Sequence, residues 1–132
     1  MKRAVMLLLM GSMLGACGPN RREVRLDSTL SLYENAIRWG RYPEVFALQE
    51  VQTTAPDFSY LREIRVTAYE PLGDPVVSEQ GNRVEQSVEI RFYHEQYGRE
   101  RMVIDKQRWH YDEAHEVWLR EGSMPDFRSA TR

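Results

Sequence analysis

Apolar positions repeat at two different periods along this chain, and the change of period divides it. Around residues 26–40, Leu30, Tyr33 and Ile37 recur at three- and four-residue steps, with Leu26 on the same side. That spacing predicts an amphipathic helix with one buried stripe. Asp27 or Ser28 is the expected N-cap and Gly40 the stop. Pro43 suits the first turn of a second, short helix, packed through Val45, Phe46, Ala47, Leu48 and Val51. From Tyr60 the period becomes two. Ile64, Val66 and Ala68 alternate with Arg65, Thr67 and Tyr69, which predicts a strand over 60–70. Pro71–Pro75 makes a turn, and Val76-Val77 resumes the strand before Gly81-Asn82.

The clearest strand is Arg83–Glu95. Val84, Val88, Ile90 and Phe92 share one parity with Gln86 and His94, and charged residues fill the other. This predicts a sheet with one buried face and one wetter face. Arg99–Tyr111 reads as strand with a mixed pattern: Val103, Trp109 and Tyr111 have one parity, Met102 and Ile104 the other. A bulge, a twist or a two-sided contact would explain the mixture. Asp112–His115 is a hairpin connection, Glu116–Glu121 a last short strand, and Phe127 closes one rim of the core. The expected fold is α+β: one or two N-terminal helices on a curved, three- or four-stranded antiparallel sheet.

The first sixteen residues follow neither pattern. Lys2 and Arg3 precede an apolar run over Ala4–Leu14. Eleven residues are too few for a membrane span, which needs about 20, but suit an export signal. Leu14-Gly15-Ala16-Cys17 then resembles the lipobox of bacterial lipoproteins. The resemblance implies cleavage before Cys17, a thioether-linked diacylglycerol on its thiol and an N-acyl chain such as palmitate on its amine. Gly18, rather than aspartate, after the cysteine implies outer-membrane delivery with the domain facing the periplasm. Cys17 is the single cysteine, so no intramolecular disulfide forms. The expected organisation is a signal peptide over 1–16, a lipidated cysteine and tether over 17–25, one α+β domain over 26–128 and a polar tail over 129–132.

Composition narrows the partners. Of 132 residues, 18 are basic and 20 acidic, and the leader holds two of the basic ones. The remaining acidic excess argues against a nucleic-acid surface. The runs Arg21-Arg22 and Arg99-Glu100-Arg101 are short, and the second is interrupted by acid. Sixteen of the 18 basic residues are arginine, which favours paired hydrogen bonding and interface contacts.

The segments Leu32–Gly40, Val88–Tyr93 and Asp105–Trp109 resemble small proteobacterial lipoproteins with a nuclear-transport-factor-2-like, cystatin-like domain. The resemblance spans roughly residues 26–127 and implies a conical space between helix and sheet. That fold hosts enzymes, binding proteins and assembly subunits, so it does not choose a role. Some enzymes of the fold place an acid or an Asp–His pair in the cone, which makes Asp105 with His94 or Tyr69 the catalytic candidates. Tyr33, Tyr69, Tyr93 and Trp109 are the candidate ligand-binding residues. His110 and His115 with Asp112 or Glu113 form no standard zinc motif, so neither metal nor other cofactor is expected. With no phosphate loop, nucleophile elbow or H-E-x-x-H sequence, the leading expectation is a noncatalytic envelope module. Its partners would be membrane lipid through Cys17 and an envelope protein. Its docking surfaces would be the strand edge beside Pro71–Asn82 and the Arg/Glu-rich sheet face. The alternatives are a small apolar-ligand binder and an acid/base enzyme.

Overall fold

In the computed structural model, described here for residues 20–51 and 54–130, three helices precede and pack against an open antiparallel sheet. The leader, Cys17 and the last two residues lie outside the described residues.

Helix α1 spans Arg21–Arg38. It starts six to seven residues earlier than the expected Asp27 or Ser28 cap, so residues 21–25 of the expected tether are helical. Asn20 is the cap, its side chain accepting from the Arg22 N–H at 3.2 Å. Three contacts hold the added turns. The Trp118 indole N–H donates to the Arg22 carbonyl at 3.0 Å, and Arg22 and Arg25 reach Glu113 and Glu116 in the turn after β4. Ser28 sits inside the helix, its hydroxyl bonded back to the Val24 carbonyl. Of the expected stripe, Leu26, Tyr33 and Ile37 are buried and Leu30 is partly buried against the core, with Ala36 buried as well. Gly40, at φ 68°, ends the helix, with Arg41 N–H bonded to Ala36 O at 2.8 Å and Gly40 N–H to Ile37 O. These bonds use carbonyls that the last helical turn leaves free.

Helix α2 is Tyr42–Ala47, with Pro43 in its first turn and Val45 buried; Val51 is exposed and adds nothing to its packing. Helix α3 is Phe58–Leu61, capped by Asp57. Tyr60 and Leu61 therefore belong to a helical turn and not to the strand expected over 60–70. The Asp57 carboxylate satisfies the N–H groups of Ser59 and Tyr60, so the cap decides the local conformation.

The strands are β1 Ile64–Pro71, β2 Val76–Val77, β3 Arg83–His94, β4 Glu100–Asp112 and β5 Val117–Glu121. They form five strands in the order β1-β3-β4-β5, with the short β2 also paired to β3. The far edge at β5 is partly strapped by residues 48–50, through Arg120 N–H to Leu48 O and Glu50 N–H to Arg120 O. Leu26, Tyr33, Ile37, Ile64, Val88, Ile90, Phe92, Trp109 and Phe127 are buried between helices and sheet. Phe127 packs edge-on to Phe92 and Tyr42, as its expected rim position requires.

Two strand details differ from the sequence pattern. β3 and β4 pair in unbroken register from Arg83–His110 to Tyr93–Glu100, so no bulge explains the mixed parity of β4. Its inward residues are Asp105, Gln107, Trp109 and Tyr111, two of them polar. The irregularity lies in β1, where register shifts between Val66 and Ala68. The extra residue, Thr67, swings Tyr69 from the outward parity to the core, where it is 4% exposed.

Candidate functional site

The polar residues on the inward faces of β4 and β5 meet between α1 and the sheet. Asp105 and Arg120 form a buried ion pair, with Arg120 Nη2 to Asp105 Oδ1 at 2.6 Å and Nη1 to Oδ2 at 3.0 Å. The Tyr33 hydroxyl, delivered by the α1 stripe, donates to Asp105 Oδ2 at 3.0 Å and accepts from Arg120 Nη1 at 2.5 Å. Gln107 Nε2 donates to Asp105 Oδ2 and to the Tyr69 hydroxyl, each at 2.9 Å. Its Oε1 accepts from the Trp109 indole at 3.2 Å, which fixes the amide orientation. Trp109 in turn meets the Tyr33 ring edge-on at 5.3 Å. Arg120 lies over that ring at 5.2 Å and also donates to the Ser123 carbonyl. Arg38 closes the outer side by donating to the Tyr69 carbonyl.

Burial and charge act together here. Burial raises the Tyr33 phenol well above its ordinary pKa, and the adjacent Asp105 carboxylate adds to the rise. Burial likewise raises Tyr69, with the Gln107 hydrogen bond opposing it. For Arg120, burial pulls the guanidinium down. Tyr33 and Asp105 outweigh that pull, and its pKa is raised. Asp105 accepts four hydrogen bonds from three side chains on three different elements. The arrangement locks α1 to β4 and β5 and presents both phenols in their neutral form.

The structure thus brings together Asp105 and Tyr69, joined through Gln107, and sets Tyr33 and Trp109 beside them. It does not bring His94. Val88 pairs with Asp105, and His94 is six residues further along β3, about 20 Å away at strand rise. Tyr93 has the outward parity and shares no wall with Tyr33. His110 and His115 are also apart. His115 Nδ1 contacts Asp112 at 2.7 Å, while His110 Nε2 faces Glu50 at 3.5 Å. No cluster of three or more metal-ligating side chains occurs among the described residues. Gln107 and Arg120 were absent from the sequence-derived site. The signal for both is a polar residue at inward parity, Gln107 two before Trp109 and Arg120 two after Trp118.

The surface also carries open features, the first of which reaches Gln107. A groove of about 530 Å³ is lined by Leu72, Asp74, Val76, Glu85, Ser87 and Lys106, among others. Beside it Leu72, Val76 and Val77 are exposed apolar residues. A more apolar groove of about 330 Å³ runs between Tyr60, Leu61, Met124, Pro125 and Phe127. Among the described residues no helix is long and apolar enough to cross a membrane. Comparison of the chain with protein-family models, with curated proteins and with solved structures finds no match.

Proposed function

We propose that this chain is an outer-membrane lipoprotein, anchored through Cys17 after removal of residues 1–16. Its nuclear-transport-factor-2-like domain faces the periplasm and serves as a noncatalytic binding or envelope-assembly module. The observation that carries the binding-module reading is the state of the cone. The acid that an enzyme would expose there is saturated by Tyr33, Gln107 and Arg120, and its side chain is 2% exposed. A general base needs a lone pair within reach of substrate. Asp105 uses its lone pairs to hold α1.

Binding then falls to the rim. The β1–β2 edge combines exposed Leu72, Val76 and Val77 with a two-residue strand bonded on one side to β3. An extended segment of an envelope protein would add there as a further strand, with apolar side chains over Val76 and Val77. A photo-crosslinker at Val76 in intact cells tests this. Specific protein adducts at Val76, absent from the same probe at Glu113, are expected. Efficient labelling of lipid or water alone at Val76 would sink the proposal. Cys17→Ser tests the anchor separately: lipid labelling and membrane retention should both disappear. A second reading, a small apolar ligand, draws on the groove between Leu61, Met124 and Phe127. It predicts that a hydrophobic fluorophore binds there and is displaced by Leu61→Arg.

A further inference from the structure

Among the described residues, arginine is almost always paired with acid. Eleven of the fourteen have a carboxylate within 4.0 Å. The exceptions are Arg62, Arg99 and Arg101. Two of these three line one cavity of about 290 Å³ at the β3–β4 hairpin, together with His94 and Tyr97. In a chain with an acidic excess, that juxtaposition is a local inversion of charge.

The cavity wall is built rather than incidental. The His94 ring lies between Tyr60 and Tyr97, with centroids 4.9 and 4.8 Å away. Its Nδ1 accepts the Gln96 N–H at 3.2 Å, leaving Nε2 to face Glu63 Oε2 at 3.2 Å. Both ring nitrogens are therefore occupied, and the ring is held from both faces. Arg128 stacks on Tyr60 at 4.2 Å and extends the column. Arg101 is fixed through Nη2, which donates to the carbonyls of Arg128 and Ala130. Its Nε has no partner among the described residues. Of the nearby acids, Glu95 pairs with Arg65 and Glu100 with Thr67, while Glu63 holds Nε2 of His94 in the cavity wall itself.

We infer that the His94–Tyr97–Arg99–Arg101 cavity binds a phosphate-class oxyanion, presented as a free phosphate or phosphomonoester or on a lipid headgroup. Two guanidiniums supply two positive charges and planar sets of N–H donors, which match phosphate in charge and geometry. Tyr97, 71% exposed, adds an aromatic plate and a hydroxyl at the mouth. The function proposed above is not needed for this site. α1 begins beside the β4–β5 turn, and the cavity is at the opposite end of β4.

The test is a titration of the full chain with inorganic phosphate at about 0.15 M sodium chloride, where exposed charges are largely screened. The arginine Nε–Hε resonances report the binding. Saturable shifts at Arg99 and Arg101, with Arg62 unmoved, are expected. Arg99→Gln should weaken binding about tenfold, as loss of a charge-assisted contact does. Tyr97→Ala, at an exposed turn position, is the second variant and should weaken it less. Arg101 is left intact because it holds the C-terminal segment. Parallel arms with glycerol phosphate and with phosphatidylglycerol vesicles separate the sources: a response only to vesicles assigns a headgroup, a response to the soluble anions assigns a free ligand. Arg62 shifting in step with Arg99, or unchanged affinity in Arg99→Gln, would overturn the site.

Discussion

Two arginine–carboxylate pairs, one between β4 and β5 and one between helix α1 and the β4–β5 turn, differ in almost everything but chemistry. Asp105–Arg120 is dry, with side chains 2% and 4% exposed, and it binds Tyr33 of α1 into a closed network. Arg22–Glu113 joins the start of the same helix to the β4–β5 turn with side chains 32% and 63% exposed. In the dry link each donor and acceptor was taken from water, and among the described residues all of Arg120's bonds run through Nη1 and Nη2, its buried Nε having no partner. In the wet link water fills any gap. Buried pairs are costly to break even where they add little net stability, whereas exposed pairs typically contribute 1 kcal/mol or less.

The largest effect should follow from breaking the dry link on one side. Asp105→Asn keeps the shape but leaves Arg120 charged, buried and without its counter-ion. A loss of about 3–5 kcal/mol is expected, read as a lowered urea midpoint. Small domains have about 5–15 kcal/mol in total, so the variant would sit near its unfolding limit. The paired replacement Asp105→Leu with Arg120→Met removes both charges and should cost less than Asp105→Asn alone. A single-variant loss below about 1 kcal/mol would erase the contrast between the two links.

A buried polar group with no partner sharpens the contrast. The Tyr42 hydroxyl is buried without a hydrogen bond among the described residues, and burial raises its pKa from 10 to about 12, with Arg65 opposing. The unfolded chain releases this proton near pH 10 and the native state holds it until about 12. The neutral phenol is favoured in the fold, so stability is complete below pH 10 and falls as pH rises to about 12. Two pKa units correspond to a loss on the order of 2–3 kcal/mol. Tyr42→Phe should flatten that part of the stability–pH curve and cost nothing at neutral pH. An unchanged alkaline slope would assign the titration elsewhere. Tyr33 and Tyr69 are raised as well and contribute loss in the same direction.

The same distinction governs how much was legible in the sequence. Residues 83–94 alternate cleanly because their inward face is mostly apolar, and the strand was readable to within one residue. β4 was readable as a strand but not in its facing, because Asp105 and Gln107 occupy core positions where polarity counts as outside. A buried charge pair hides from an alternation test, since its partner Arg120 is fifteen residues away and cancels it only in space. Tyr33 and Trp109 were singled out by residue type, and Asp105 with Tyr69 by what the resemblance implied. What joins them, Gln107 and Arg120, needed the register. The Thr67 bulge that turns Tyr69 inward left no mark, because Thr, Ala and Tyr are all acceptable strand residues. The start of α1 was misplaced for the opposite reason. Asp27 and Ser28 are good caps locally, and the Trp118, Glu113 and Glu116 contacts from the far end of the chain hold the helix past them, up to its Asn20 cap.

Smaller effects lie within the network and at its wet counterpart. Tyr69→Phe removes one acceptor from Gln107, whose second bond to Asp105 remains. A loss of about 1 kcal/mol is expected. The smallest term is the wet link itself. A double-mutant cycle with Arg22→Ala and Glu113→Ala should give a coupling below about 1 kcal/mol, shrinking as salt rises to about 1 M. The helix start should survive both changes, since Leu26 stays buried and the Trp118 indole still bonds the Arg22 carbonyl, a backbone group that no side-chain substitution removes. Amide exchange across residues 21–25 measures this directly. If protection there collapses in Arg22→Ala, the exposed ion pair rather than the Trp118 bond holds the first turns, and the wet link would have to be ranked with the dry one.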